Sequence, residues 1–287
     1  MTTVLDSRTA PLGSSPAPLA AIAWGRDLPA LPAAVLELLA LLASENVDID
    51  ELAAKVSVDV ALTAKTLRMA NSSFYSLRRE VTSVPDAIAM LGLRMVKGIV
   101  TAASVGGSFK PPACPGFDFK AFWRHGVATA VAAQMLALDA EVDPGVAFTT
   151  GLLYNIGELV FASSFPDHYA AVLVCRLKTG AEAREAERSL LGVDRATVGA
   201  RVAEVWRLPE AIVRAMRREP GTDSDLGRVV DAADRLMQAV ALGDDALAAA
   251  AAVLAVDASA FGLDEERWAD VATSAGEQTE AICASLN

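Results

Sequence analysis

Helix-start signals recur along this chain, and each is followed by apolar residues at helical rather than alternating spacing. Asp48 with Glu51 has the form of a capping box ahead of Leu52 and Val56; Asp59 precedes a run with Leu62 and Leu67. Ser83, with Pro85 in the first turn, opens a segment that Gly92 closes. Pro32 opens one carrying Val35, Leu36, Leu39 and Leu42, and from about Asp118 the residues Phe119, Phe122, Trp123, Val127, Ala130 and Val131 keep the same rhythm. No alternating run is long enough to make a strand. An all-α chain of many short helices is therefore predicted, and a hydrophobic fraction of 53% with only 6% aromatic residues supplies it with a core of Ala, Leu and Val.

Breaks in this rhythm divide the chain. Residues 1–25 carry Pro11, Gly13, Ser14, Ser15, Pro16 and Pro18 without periodicity and are expected to form a flexible leader. Pro111, Pro112, Pro115 and Gly116 interrupt the helices again, which places a boundary between an N-terminal helical lobe at 26–110 and a second helical lobe at 111–287. The second lobe is expected to bury Trp123 and Trp206. Past Pro220 it continues as a helical extension: Asp225 to Leu242, an Ala-rich segment after Asp245, and Glu265 to Leu286.

A formal net charge of −11 argues against broad electrostatic binding to nucleic acid or to an anionic membrane surface. The charge is unevenly spread. Residues 55–110 hold eight basic side chains against three acidic, a net of +5, whereas 220–287 hold three basic against thirteen acidic, a net of −10. Charge, Gly or Pro interrupts the apolar runs, and the Ala-rich stretch after Asp245 is too short and too Ala-rich to span, so no membrane insertion is expected. No signal-peptide pattern is read. Cys114, Cys175 and Cys283 are widely spaced, with no CxxC and no histidine cluster, and are expected to be buried free thiols in a reducing cytoplasm.

Catalytic schemes find little support. No G-x-S-x-G, GxxxxGK[ST] or strand-anchored GxGxxG occurs, and Gly106 and Gly107 read as a break after a helix more readily than as a phosphate cradle. Of the two histidines, His168 falls on the surface at a helix start, after Pro166 and Asp167. His125 lies on the helix that begins near Asp118, either as a metal ligand or as a histidine hydrogen-bonded beside the core. The second is favoured, because one imidazole cannot hold a catalytic ion.

Several segments, in this order, resemble one family: LPALP (Leu28 to Pro32), DVALTAKTLRMANSSFY (Asp59 to Tyr75), SVPDAIAMLGL (Ser83 to Leu93), FWRHGVATA (Phe122 to Ala130), GLLYNIGELV (Gly151 to Val160) and VGARVAEVWRLPEAI (Val198 to Ile212). Over roughly residues 28 to 220 the chain is similar to the HDOD domain, a bacterial relative of the HD phosphohydrolases that is regarded as non-catalytic. The resemblance implies an all-α HDOD-type fold of two helical lobes, the second a degenerate HD domain. HD-type hydrolases usually carry an adjacent His-Asp pair in the stretch corresponding to GLLYNIG. Here those positions are Tyr154 and Asn155, a phenol that stays protonated near neutral pH and an uncharged amide, neither a good ligand for a hard divalent cation. The resemblance places the ancestral metal set at His125, Tyr154, Asn155 and Asp234, of which only the first and last keep a ligand type. Where relatives often have histidines, after Asp194 and before Pro220, this chain has Arg195, Arg218 and Glu219. No catalytic residue, bound metal or cofactor is expected.

Function must then lie in binding, and the resemblance implies a signalling or regulatory module that acts through a protein partner, in motility, stress or cyclic-di-GMP-linked regulation. The candidate surface is basic. Lys65 and Arg68 share a helix face, Arg78 and Arg79 lie in the loop that follows, and Arg94 stands further on. Asn71, in ANSSFY, either caps the helix end or belongs to that surface. An acidic partner fits such a surface. The alternative is a nucleotide- or nucleic-acid-binding sensor using the same lobe, nucleic acid being disfavoured by the overall charge; a residual metal phosphohydrolase is weaker still. The opposed charges of the two ends also allow head-to-tail association of copies.

Overall fold

A computed structural model describes residues 31–42, 48–72, 81–218, 224–243 and 261–286, with single positions at 245, 248, 251 and 253. The expected leader, Arg78, Arg79 and most of the Ala-rich segment lie outside these residues. Within them the chain is helical and no strand occurs. The helices are α1 (Ala33–Leu42), α2 (Ile49–Val58), α3 (Val60–Ala70), α4 (Val84–Leu91), α5 (Leu93–Gly107), α6 (Phe119–Asp139) and α7 (Pro144–Leu153). They continue as α8 (Ile156–Ser164), α9 (Pro166–Thr179), α10 (Ala183–Leu191), α11 (Arg195–Val205), α12 (Glu210–Arg217), α13 (Asp225–Ala241) and α14 (Glu265–Leu286).

The starts follow from side chains that satisfy the free N–H groups of each first turn. Asp48 accepts from the amides of Asp50 and Glu51, Asp59 from those of Ala61 and Leu62, and Asp118 from that of Ala121. Ser83 accepts from the Asp86 amide and returns its hydroxyl proton to the Asp86 carboxylate, a reciprocal cap. Each such cap stabilises its helix by about 1 kcal/mol. At the far end of α4, Gly92 adopts φ 82°, which an L side chain resists.

The buried apolar residues form two clusters. One gathers Leu38, Leu52, Val56, Leu62, Ile88, Val96 and Val100 from α1 to α5. The other runs from Leu39 and Met69 through Ile99 and Val105 into the packed faces of α6 to α14. Helix α5 belongs to both, with Val96, Val100 and Ala103 turned to the first cluster and Ile99, Ala102 and Val105 to the second. At the centre of the larger cluster α6 packs against α7, α13 and α14. Pro144–Ser164, which is apolar and long enough to cross a membrane by composition, is mostly buried inside the protein and serves as core.

Two side-chain expectations need correction. Trp206 is 4% exposed, but Trp123 is only half-buried, because its ring sits among Phe109, Phe119 and Phe122 at the edge of an open cavity. All three cysteines are free, yet only Cys114 is buried; Cys175 and Cys283 are half-buried on α9 and α14, helices that show one side to solvent.

Candidate functional site

The Gly151–Gly157 segment is where two close helix crossings meet. A Cβ on Gly151 would lie 2.8 Å from the Cα of Ala130 on α6, and one on Gly157 would lie 2.1 Å from the carbonyl oxygen of Arg195 at the start of α11. Both glycines are therefore required for backbone approach. Between them α7 stops at Leu153 and α8 restarts at Ile156, so Tyr154 and Asn155 occupy the corner and point into the protein, 1% and 7% exposed.

Opposite that corner α13 presents Asp231, Asp234 and Gln238 on one face, since residues three and four apart align on a helix. Asp234, 2% exposed, accepts from Asn155 Nδ2 at 2.7 Å and from His125 Nε2 at 2.9 Å on one oxygen, and from Gln238 Nε2 at 2.8 Å on the other. Arg218, just past α12 with φ 53° and ψ 39°, brings Nη2 to 3.7 Å from the same carboxylate and 3.5 Å from Asn155 Oδ1. Its Cζ lies 3.4 Å from the centroid of the Tyr154 ring, and the Tyr154 hydroxyl donates to Asp231 at 3.0 Å. Burial alone would raise the Asp234 carboxyl, but His125, Arg218 and Asn155 together hold it below the usual carboxylate range. Burial pushes the Tyr154 phenol well above its ordinary value, so it stays a neutral donor.

A family model for the HDOD domain matches residues 28–220. The chain belongs to the HDOD family. This HDOD protein is 27% identical to a Shewanella amazonensis protein provisionally named a phosphohydrolase, with TM-score 0.76 over 91% of this chain and 95% of that one. A Marinobacter aquaeolei protein provisionally named for signal transduction is 26% identical, with TM-score 0.70 over 90% of this chain and 59% of that one. An HDOD domain protein of unknown function from Geobacter sulfurreducens shares the fold at 22% identity, with TM-score 0.73 over 90% and 92% of the two chains. An uncharacterized Treponema pallidum protein is 24% identical over 200 residues, which span 67% of this chain but only 37% of that relative.

The residues of this HDOD corner do not fit a divalent ion. They offer one imidazole and two carboxylates, Asp234 and Asp231, whose oxygens already accept hydrogen bonds from neighbouring side chains. The remaining positions contribute a neutral phenol and an amide, and a guanidinium stands beside Asp234. Among the described residues no group of three or more His, Cys, Asp or Glu is placed to hold a metal. The four positions named from the sequence, His125, Tyr154, Asn155 and Asp234, do come together; Arg218, Asp231 and Gln238 complete the cluster without having been assigned to it. The 231, 234, 238 spacing was visible as a polar face. The placement of Arg218 was not, because it depends on the path of the chain after α12.

A second buried cluster surrounds Arg195, 8% exposed. Its Nε donates to Glu187 at 2.6 Å, Nη1 to Glu158 at 2.5 Å and Nη2 to Tyr169 at 3.1 Å, and its backbone N–H reaches Glu187 at 2.8 Å. This guanidinium ties α8, α9, α10 and α11 together.

The basic residues named from the sequence are more scattered. Arg68 and Arg94 are exposed, whereas Lys65 is half-buried. Asn71 is committed within the chain: its amide donates to Leu67 O at 3.0 Å and Val81 O at 2.8 Å and accepts from Val81 N at 2.8 Å, closing the corner after α3.

Proposed function

We propose that this HDOD protein is a non-catalytic signalling module that works by binding a protein partner in the cytoplasm. The observation that carries the reading is Asp234. A hydrolytic metal centre needs open carboxylate and imidazole ligands for ions held about 3.5–4 Å apart. Here Asp234 is occupied by three neutral or imidazole donors with a permanently charged guanidinium beside it, and Asp231 accepts from Tyr154 and pairs with Arg235. Arginine stands where a cation is wanted, so the corner is held together internally. The provisional signal-transduction name of the Marinobacter relative agrees with this role. Recognition is assigned to the exposed cations Arg68 and Arg94, with Arg78 and Arg79 in the intervening segment, and to a partner of acidic surface.

Purified protein incubated with Mn²⁺, Fe²⁺ or Mg²⁺ should retain well under one equivalent of metal and hydrolyse neither cyclic dinucleotides nor bis(p-nitrophenyl) phosphate. Turnover that His125→Ala abolishes would overturn the reading. For the partner surface, Arg68→Glu with Arg94→Glu should leave stability within about 0.5 kcal/mol, as exposed changes do. The same pair should slow partner association and flatten its dependence on salt.

A further inference from the structure

On the side of α6 away from His125, residues of α3, α5, α6 and α14 line an open cavity of about 740 Å³. That is within the roughly 300–1,000 Å³ typical of small-molecule sites. Its walls are largely apolar, with Ala102, Phe119, Trp123 and Val127 among them. Three cations line it, Lys65, Lys120 and Arg124, against one anion, Glu280, which is paired to Arg124. Among the described residues neither lysine has an ion-pair partner, so two positive charges face the cavity uncompensated. The indole Nε1 of Trp123 is shielded from solvent and has no hydrogen-bond acceptor. Finally, α5 meets the cavity at Gly106 and Gly107, where a Cβ would touch nothing within 4 Å, so the floor lies open to a ligand.

We propose that this cavity is a binding site for a small aromatic anion, its flat apolar body among Phe119, Trp123 and Val127 and its phosphate or carboxylate held by Lys65 and Lys120. Two cations without ion-pair partners and an apolar wall call for one molecule carrying both a negative charge and an apolar face. Neither inorganic phosphate nor a neutral aromatic meets both demands.

Calorimetric titration with adenosine 5′-monophosphate and with indole-3-acetate tests the assignment, with adenosine, indole and inorganic phosphate as the counterparts lacking charge or ring. At least one of the two anions should saturate with a Kd below about 1 mM and bind at least about tenfold more tightly than its counterparts. Gly106→Leu, which fills the cavity from a helical position with open space around it, should abolish that binding; Lys120→Glu, an exposed change that leaves the fold intact, should weaken it at least about tenfold. The proposal is overturned if neither anion binds by about 5 mM, if the neutral counterparts bind equally well, or if binding survives both substitutions.

Discussion

Arg218 holds its guanidinium against the face of the Tyr154 ring, with Cζ 3.4 Å from the ring centroid. A cation over an aromatic face in a site shielded from water is worth up to about 2 kcal/mol. Here the same group also faces Asp234 and Asn155, so one side chain neutralises the carboxylate and covers the phenol. The corner of the HDOD fold is thereby closed by residues 63 and 79 positions apart, the separations of Arg218 and Asp234 from Asn155.

Asn155→Asp should test how tightly that charge balance is set. A second carboxylate within 2.7 Å of Asp234 cannot ionise freely, so one of the two must have a raised pKa. A carboxyl raised in the folded state lowers stability above its unfolded pKa, and the deficit shrinks as pH falls toward that value. Urea denaturation should find the variant less stable by about 2–4 kcal/mol at pH 7, and close to wild type near pH 4. Equal stability at both pH values would sink the claim.

Arg195→Met should be among the most destabilising changes in the chain, since it leaves Glu187, 0% exposed, without its guanidinium. Breaking a buried pair in this way costs about 3–5 kcal/mol. Adding Glu187→Leu should restore a substantial part of the loss but not all of it, because the Arg195 backbone N–H then loses its acceptor. A double variant no more stable than Arg195→Met would refute this account of the cluster.

Glycine substitutions should separate by what surrounds them. Gly157→Ala forces α8 and α11 apart, because its Cβ would stand 2.1 Å from a backbone oxygen, and should cost about 3 kcal/mol or more. Gly276→Ala, inside α14 with nothing within 4 Å of the new methyl, should raise stability by about 0.5–1 kcal/mol through helix propensity. Thermal melts of the two variants read the contrast directly, and a drop for both would overturn it.

Acid should expose the contribution of Asp194. Burial opposes its charge, but the Thr197 amide and hydroxyl, with Arg184 and Arg188, bring its pKa down to about 2, from an ordinary 3.8. A depressed carboxylate stabilises the fold above its unfolded pKa and loses that effect as pH falls through its folded pKa, here between about pH 4 and pH 2. The loss should be on the order of 2 kcal/mol, and Asp194→Asn should flatten that part of the stability profile. An unchanged acid limb in the variant would show that other groups set it.

The sequence by itself determined where helices begin and end and that GLLYNIG holds Tyr154 and Asn155, the positions where the family resemblance implies a His-Asp pair. Caps are local: Asp59 reaches amides two and three residues on, and Ser83 reaches one three residues on, so their chemistry is complete within a single turn. The absence of a His-Asp pair in GLLYNIG is equally local. Tertiary structure alone decided which side chains meet at that corner. His125 and Asp234 are 109 residues apart, and Arg218 reaches the corner only because the chain leaves α12 in the left-handed region at φ 53°. The same holds for α5, whose apolar stripe does not say that its two sides serve different clusters, and for Trp123, whose helical spacing predicts burial although its ring borders a cavity. Periodicity specifies which residues avoid water, but the identity of the neighbour across a packed interface depends on helix positions set by contacts along the whole chain.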